Sequence, residues 1–226
     1  RSVIAVAGHD TQCAVAAMPD PRPGAAFLSC GTWSLIGCEL DEPVLTEQSR
    51  ELALSNERGA NGKVNYLKNI IGLWLIQESR RQWQREGMDY SFAQLAQMAL
   101  EAEPLQSFID PDAPEFTPPG DIPARVMEFC RRTGQLVPET VGQVMCCVYQ
   151  SLALKYRFAL EQLSRSTGQT FTALHIMGGG AQAELLCQMT ANSIGLPVIT
   201  GPIEATALGN ILIQRSEEHT SELQSP

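Results

Sequence analysis

A short apolar run near the start of the chain places the strongest constraint on the fold. Residues 3–7 are small apolar β-formers, and the run stops at Gly8, after which the chain presents His9, Asp10 and Thr11. Such a run is typical of a parallel strand that is covered on both faces, and polar residues directly after it lie where these sheets bind ligands. The pattern therefore predicts an α/β sheet that delivers the Asp10 carboxylate to a cleft. An aspartate ahead of an alanine-rich segment is also a good helix N-cap, so both roles remain open for Asp10 at this stage.

Two later stretches also combine strands with glycines. Residues 25–40 predict strand, turn and strand, with Gly31 and Thr32 at the turn. Glycine there permits backbone angles that a side chain would forbid, and the threonine hydroxyl would lie beside a ligand or simply close an ordinary hairpin. Residues 173–189 predict a buried strand, three glycines and a helix whose N-terminus favours negative charge. A short strand over 197–200 then completes an alternation that is typical of α/β proteins.

The middle of the chain predicts mainly helices. Apolar residues recur at helical spacing over 64–85, which predicts one amphipathic helix. Asn69 and Gln77 would then lie on roughly the same side two turns apart, either solvated or pointing into one pocket. Further helices are predicted over 92–103, 122–133, 141–167 and 204–214. A proline-rich loop separates the first two of them.

Composition limits the classes of function. The chain has 226 residues, of which 44% are hydrophobic and 18% charged, as in ordinary globular proteins. It has neither a long apolar span nor the features of a signal peptide, so we expect a cytoplasmic protein. Seven cysteines without a Cys-x-x-Cys pair, and only three histidines, argue against disulfides and zinc and favour buried reduced thiols. A net charge of −9 disfavours nucleic acid and anionic membranes as partners.

One motif allows an alternative chemistry. Gly178, Gly180 and Ala183 fit the spacing of the dinucleotide-binding fingerprint, and Glu204 lies about twenty residues further on as a possible ribose acceptor. This alternative is an oxidoreductase fragment. Such a unit normally opens a nucleotide-binding domain, whereas here only one short strand follows it.

The last twelve residues differ in character from the rest. The chain changes abruptly from an apolar helix to the polar string RSEEHTSELQSP at 215–226, which looks like the translation of a short-read sequencing adapter. We therefore treat 1–214 as the native domain and exclude 215–226 from fold prediction, a genuine polar tail being the alternative.

Five stretches taken together resemble the FGGY sugar kinases, in the branch that acts on rhamnulose. They occur in the family's order: GHDT at 8–11, SCGTWSL at 29–35, LKNIIGLWLIQ at 67–77, GGGAQ at 178–182 and GPIEATALGN at 201–210. The resemblance covers residues 3–214. It implies the second domain of the ribonuclease-H-like fold of the actin and hexokinase type, truncated at both ends.

The resemblance also implies an activity and a set of site residues. The reaction would be ATP-dependent phosphorylation of L-rhamnulose at its 1-hydroxyl, with Mg²⁺ accompanying ATP through ligands that the sequence does not identify. Asp10 would accept the hydroxyl proton while His9 and Thr11 hold the sugar; a carboxylate suits this role because orienting the attacking oxygen matters more than strong basicity. The positions that match the family's nucleotide contacts are Thr32, Asn69, Gln77 and Gly179.

The chain departs from the family pattern in two respects. Ala183 stands where the family usually has asparagine, which puts one polar contact near the nucleotide in doubt. The family's first domain and its closing segment do not match any part of the chain, so we expect the chain alone not to turn over substrate. A non-catalytic sugar- or nucleotide-binding paralogue is the third interpretation.

Overall fold

The computed structural model describes residues 6, 8–19 and 24–223. The strand predicted over residues 3–7 lies outside the described residues, apart from residue 6. Eight helices and six strands are present in the described part of the chain. The helices are α1 Asp10–Ala16, α2 Glu47–Glu51, α3 Trp74–Arg85, α4 Phe92–Glu101, α5 Ile122–Arg132, α6 Val141–Thr167, α7 Glu184–Ile194 and α8 Ala205–Leu223. The strands are β1 Ala25–Cys30, β2 Trp33–Leu40, β3 Leu54–Arg58, β4 Val64–Ile71, β5 Ala173–Met177 and β6 Val198–Thr200.

The six strands form one mixed sheet in the order β3-β4-β2-β1-β5-β6. The pairs β1 with β2, β2 with β4 and β3 with β4 are antiparallel, whereas β1 with β5 and β5 with β6 are parallel. Strands β1, β4, β5 and β6 therefore run in the same direction and end at one edge of the sheet. We call this edge, with the start of β2, the carboxyl edge.

The sheet is covered on both faces. On one face the long helix α6 buries its apolar side, including Val148, Leu152 and Leu163, against Ile36 and Ile70 of the strands. Helix α6 begins with a capping box of Thr140 and Gln143 and ends at Gly168, which has a positive φ.

The other face carries α1 and the first turn of α8, whose buried residues pack on Phe27, Leu35 and Leu67. Burial on both faces agrees with the apolar runs in the sequence. All seven cysteines are buried, as predicted.

One predicted helix is wrong. Residues 64–85 form strand β4 followed by helix α3, with Gly72 between them. Strand β4 is hydrogen-bonded on both sides and largely buried on both faces, so its apolar residues do not alternate strictly with polar ones. They continue the helical spacing of α3 by coincidence. Strand β3 and helix α2 were not predicted, since neither has an apolar periodicity of its own.

The remaining predicted elements are present with small shifts of boundary. Helix α8 continues into the polar segment that we excluded from fold prediction. The interpretation of residues 215–226 as non-native stays a prediction. In the part of the chain that the structure describes, no helix is both long and apolar enough to cross a membrane.

Candidate nucleotide site at the carboxyl edge

The turn between β1 and β2 is tied to the start of helix α3 by main-chain hydrogen bonds. The amides of Gly72 and Trp74 donate to the carbonyl oxygen of Thr32 at 3.1 Å each, and the amide of Leu73 donates to that of Gly31 at 3.0 Å. Amides at a helix start have no partner within the helix, and here the turn provides one. Gly31 does not have a positive φ, so the expected need for glycine angles at this position is wrong. Turn and helix form one platform.

Two of the predicted nucleotide contacts meet on this platform. The hydroxyl of Thr32 donates to the side-chain oxygen of Gln77 at 3.3 Å. Thr32 is exposed and Gln77 is half-buried, one turn into α3. Both side chains therefore present polar groups to solvent at the carboxyl edge.

Asn69 also lies near this edge, but in a different secondary-structure element from the predicted one. It lies on β4 and not on a helix, opposite Leu35 of β2. Residues directly opposite in a ladder share a face, so Asn69 points to the face that carries α1. Its side chain is exposed. The prediction that Asn69 and Gln77 share one side of a helix is wrong, although both lie near the ends of elements that meet at Gly72.

The second part of the site is the bend over residues 178–180, which follows β5. Gly178 has φ +81° and ψ −166°, a conformation that is essentially restricted to glycine. A Cβ atom on Gly180 would overlap the Cβ and Sγ of Cys30, at less than 3.0 Å from each. Gly179, by contrast, is exposed and has no atom within 4 Å of such a Cβ. The bend thus packs on the end of β1 and leaves one glycine open to a ligand.

The bend is also fixed from its other side. The amide of Gly178 donates to the carbonyl oxygen of Pro202 at 3.1 Å, and the amide of Gly201 donates to that of Ile176 at 2.8 Å. The thiol of Cys187 donates to the carbonyl oxygen of Gly180 at 3.5 Å. The segments after β5 and β6 are therefore connected directly at the carboxyl edge.

The dinucleotide alternative does not fit this structure. The glycines continue into a 3₁₀ turn over Gly179–Gln182, and Ala183 precedes α7 instead of lying within it. The strands from β3 to β1 are antiparallel, whereas the fingerprint belongs to a doubly wound parallel sheet. Glu204 lies between β6 and α8 and is exposed. The oxidoreductase interpretation is wrong.

The predicted sugar-binding residues lie at the N-terminus of α1. The helix begins at Asp10, and His9 occupies the N-cap position without a side-chain capping hydrogen bond. Asp10 is therefore not the N-cap, which corrects that interpretation, and it is exposed. Thr11 is buried, with 4% of its surface exposed.

His9 lies away from the platform. Its Nδ1 is 3.5 Å from Oε2 of Glu57, and Glu57 pairs with Asn65 in the ladder of β3 and β4. The turn at Thr32 lies at the other end of β4, next to Ile71. Asn65 and Ile71 are about 20 Å apart along an extended strand. The structure therefore brings Thr32 and Gln77 together but does not bring His9 to them.

Asp10 is linked to the segment that holds the glycine bend through α8. Its carbonyl oxygen accepts a hydrogen bond of 3.3 Å from the hydroxyl of Thr206. Four residues earlier, Pro202 holds the amide of Gly178. Within the described residues, the Asp10 carboxylate forms no hydrogen bond or ion pair with the bend. Its catalytic role stays a prediction.

A polar group of three residues, missed in the sequence, lies under the platform and the bend. Ser34, Cys30 and Tyr156 are fully buried and contact one another. Burial raises the pKa of the Cys30 thiol to about 11 and raises the pKa of Tyr156 well above its ordinary value. The Cys30 thiol and the Tyr156 hydroxyl therefore stay protonated at physiological pH. A spacing of 122 residues between Ser34 and Tyr156 left no local signal.

A wide cleft among the described residues lies away from this site. An open cleft of about 530 Å³ lies between Arg157, Phe171 and Leu196. Phe171 and Leu196 precede β5 and β6, so this cleft is at the opposite edge from the glycine bend. The candidate site is thus an exposed edge made largely of main chain.

Comparison with known proteins relates this edge to one family. The model of the FGGY family of carbohydrate kinases, C-terminal domain, matches residues 26–216. Rhamnulokinases of Bacteroides thetaiotaomicron and Bacillus subtilis are 48% and 45% identical to this chain over 212 residues. Each match covers 94% of this chain and 43% of the relative, so the chain spans less than half the length of these relatives.

Solved structures show the same fold. The xylulose kinase of Rhodospirillum rubrum matches 92% of this chain and 41% of its own with a TM-score of 0.68 at 17% identity. The glycerol kinase of Plasmodium falciparum with ADP matches 90% of this chain and 40% of its own with a TM-score of 0.63 at 14% identity. These similarities confirm the ribonuclease-H-like fold that the sequence predicted. The chain belongs to the FGGY family of carbohydrate kinases, whose C-terminal domain it matches.

Proposed function

We propose that this chain is the nucleotide-holding part of a cytoplasmic kinase that transfers the γ-phosphoryl group of ATP to the 1-hydroxyl of L-rhamnulose. Two relatives of at least 45% identity are named rhamnulokinase, and a structural neighbour was solved with ADP. The five ordered motifs described above support the same assignment.

One observation carries the proposal: the Thr32 platform and the open Gly179 lie at the same edge of the sheet, connected through β1. Ligands of α/β sheets bind outside the carboxyl ends of the strands. In phosphoryl transfer, the protein contributes mainly positioning and electrostatic stabilisation. We propose that Thr32, Asn69 and Gln77 contact the nucleotide and that its purine or phosphate rests on Gly179.

We propose that Asp10 orients the attacking hydroxyl and accepts its proton, and that His9 and Thr11 hold the sugar. An exposed carboxylate in the first turn of α1 is free to receive such a hydrogen bond. The reaction forms a bond between the sugar oxygen and the γ-phosphorus and breaks the bond to the β,γ-bridging oxygen, so ADP leaves.

Magnesium is expected with ATP, where it is held largely by phosphate oxygens and water with one or two carboxylates. Within the described part of the chain, no cluster of three or more His, Cys, Asp or Glu side chains could hold a metal ion. We assign no step to the ion.

The test is a chimeric enzyme in which this chain replaces the matching region of the Bacteroides thetaiotaomicron rhamnulokinase. We expect the chimera to phosphorylate L-rhamnulose in preference to other ketoses, and the chain alone to be inactive. Asp10→Asn should reduce kcat by about 10²- to 10⁴-fold, because it removes the proton acceptor, while ADP binding is retained.

The matched control is Asp41→Asn, an exposed carboxylate paired with Lys63 beyond the end of β2. It should leave kcat unchanged. Normal turnover by Asp10→Asn would contradict the role of Asp10, and a non-catalytic paralogue would show no turnover in either form. Preference for xylulose or gluconate would contradict the assignment of the sugar.

A further inference from the structure

Helix α6 contributes the hydroxyl group of Tyr156 to the layer beneath the candidate site. Tyr156 OH lies 2.7 Å from Ser34 Oγ and 3.9 Å from Cys30 Sγ, and Ser34 Oγ donates to Cys30 Sγ at 3.7 Å. The three groups form a closed triangle in which each can donate once and accept once. None of the three side chains is exposed by more than 1%.

Cys30 and Ser34, the other two members of the triangle, each pack against a glycine of the candidate site. Cys30 lies directly under Gly180, whose missing Cβ leaves room for the thiol. Ser34 lies under Gly72, where an added Cβ would overlap Ser34 Oγ and lie 2.9 Å from the carbonyl oxygen of Gly31. Ser34 and Cys30 thus fill the space between the bend and the platform.

The serine oxygen and the cysteine sulfur are each placed by one rotatable bond, so either can adopt another rotamer unless a partner holds it. Tyr156 is held rigidly, since its ring is fully buried in the main core. Its hydroxyl is therefore held in place and sets the side-chain orientations of Ser34 and Cys30. Because these two side chains pack against Gly72 and Gly180, the hydroxyl also affects the position of the main chain there.

We propose that Tyr156 is a positioning residue for the nucleotide: through Ser34 and Cys30 its hydroxyl sets the separation between the Gly72 turn and the Gly180 bend. This inference rests on the proposed function, because it assumes that the nucleotide spans these two turns. It predicts that loss of the hydroxyl weakens nucleotide binding without changing any residue that touches the ligand.

The experiment compares Tyr156→Phe with Tyr66→Phe. Tyr66 is an equally buried tyrosine whose hydroxyl contacts Ser49 and Ser166 at 2.6 Å each. It lies toward the start of β4, where that strand pairs with the end of β2, away from the carboxyl edge. Both variants remove a buried tyrosine–serine hydrogen bond, so both should lower the Tm.

Only Tyr156→Phe should change nucleotide affinity. We expect the Kd of the chain for ADP, measured by calorimetry well below the Tm, to rise by about three- to tenfold, the effect of roughly one hydrogen bond. In the chimeric kinase the KM for ATP should rise by a similar factor while the KM for the sugar stays constant. Tyr66→Phe should change the Kd for ADP and the KM for ATP by less than about twofold.

A double-mutant cycle with Ser34→Ala tests the route. If the effect runs through Ser34, adding Tyr156→Phe to Ser34→Ala should weaken ADP binding by much less than it does in the wild type. If Tyr156→Phe does not fold, Ser34→Ala alone removes the same hydrogen bond and should give the same rise in Kd.

The outcomes separate the two levels of the proposal. An unchanged ADP affinity in Tyr156→Phe, or an equal loss in Tyr66→Phe, would overturn the positioning role and leave the proposed function intact. A wild-type chain that binds no ADP, together with an inactive chimera, would overturn the proposed function and with it this inference.

Discussion

Replacement of Gly180 by alanine tests the packing of the glycine bend most directly. The added Cβ would lie under 3.0 Å from both Cys30 Sγ and Cys30 Cβ and 3.1 Å from the Cys30 carbonyl oxygen. Carbon atoms in contact are normally about 3.5–4.0 Å apart, so the bend and β1 must separate by roughly 1.1–1.6 Å. Rotation of the thiol would relieve only one of these contacts, because the Cβ and the carbonyl group belong to the strand.

The expected cost follows from this geometry. Overpacking of a well-packed core costs about 1–3 kcal/mol, and the upper part of this range applies where main chain must move. At about 2–4 °C per kcal/mol for a domain of this size, a cost near 3 kcal/mol corresponds to a fall in Tm of roughly 6–12 °C. The free energy of unfolding is measured by urea denaturation and the affinity for ADP by calorimetry; we expect Gly180→Ala to lower both.

Gly179→Ala is the matched control, one residue away. Its added Cβ has no neighbour within 4 Å and its φ is not positive, so stability should stay within about 0.5 kcal/mol of wild type. Since the methyl group would stand on the surface that we assign to the nucleotide, ADP affinity should still fall. A Gly180→Ala variant as stable as the wild type would refute the packing argument, and unchanged ADP affinity in Gly179→Ala would refute the assignment of this glycine as the ligand floor.

Two further predictions concern the platform and the helix beside it. Thr32→Val removes the hydroxyl that donates to Gln77 and should weaken ADP binding by about three- to tenfold at nearly unchanged Tm, since Thr32 is exposed; a fall in Tm alone would contradict it. Glu78, 3% exposed, tests pH dependence: burial raises its pKa, but hydrogen bonds from Arg81, Arg85 and the Gly120 amide outweigh burial and leave the pKa below its ordinary value. A lowered folded-state pKa stabilises the protein above the unfolded value of about 4.3, and this stability is lost as the pH falls through the folded-state pKa. Urea midpoints at pH 7 and below pH 4 should therefore differ less for Glu78→Gln than for the wild type, and an equal difference would show that Glu78 does not contribute.

The elements that could be predicted are those whose signal is local. The β1–β2 hairpin, the strand before the glycines and helix α6 each have a pattern set by their own residues, and the structure confirms them. The error at 64–85 arose because a strand buried on both faces loses the alternation that identifies strands. Gly72 marked the boundary, but its importance comes from the close approach of Ser34, which only the folded sheet creates.

The candidate site divides in the same way. The motifs indicated Thr32, Gln77 and Gly179, and the structure places the first two in contact. The position of α1 was beyond reach of the sequence, since it depends on packing against α8 and the sheet and on long-range contacts such as the one between His9 and Glu57. The contact between Cys30, Ser34 and Tyr156 under the site could not be predicted from the sequence either. These residues come from β1, β2 and α6, and none of them has an unusual neighbour in the sequence.

A site built from main chain has a consequence for how it tolerates change. The groups at the carboxyl edge that hold the turns are mostly amides and carbonyl oxygens, which no substitution other than proline removes. What substitution can alter is the layer beneath, where Cys30 and Ser34 have been fitted to glycines that carry no side chain. A protein interior is close-packed and transmits such changes instead of absorbing them. Nucleotide affinity should therefore respond to buried residues that never touch the ligand at least as strongly as to the exposed residues that do.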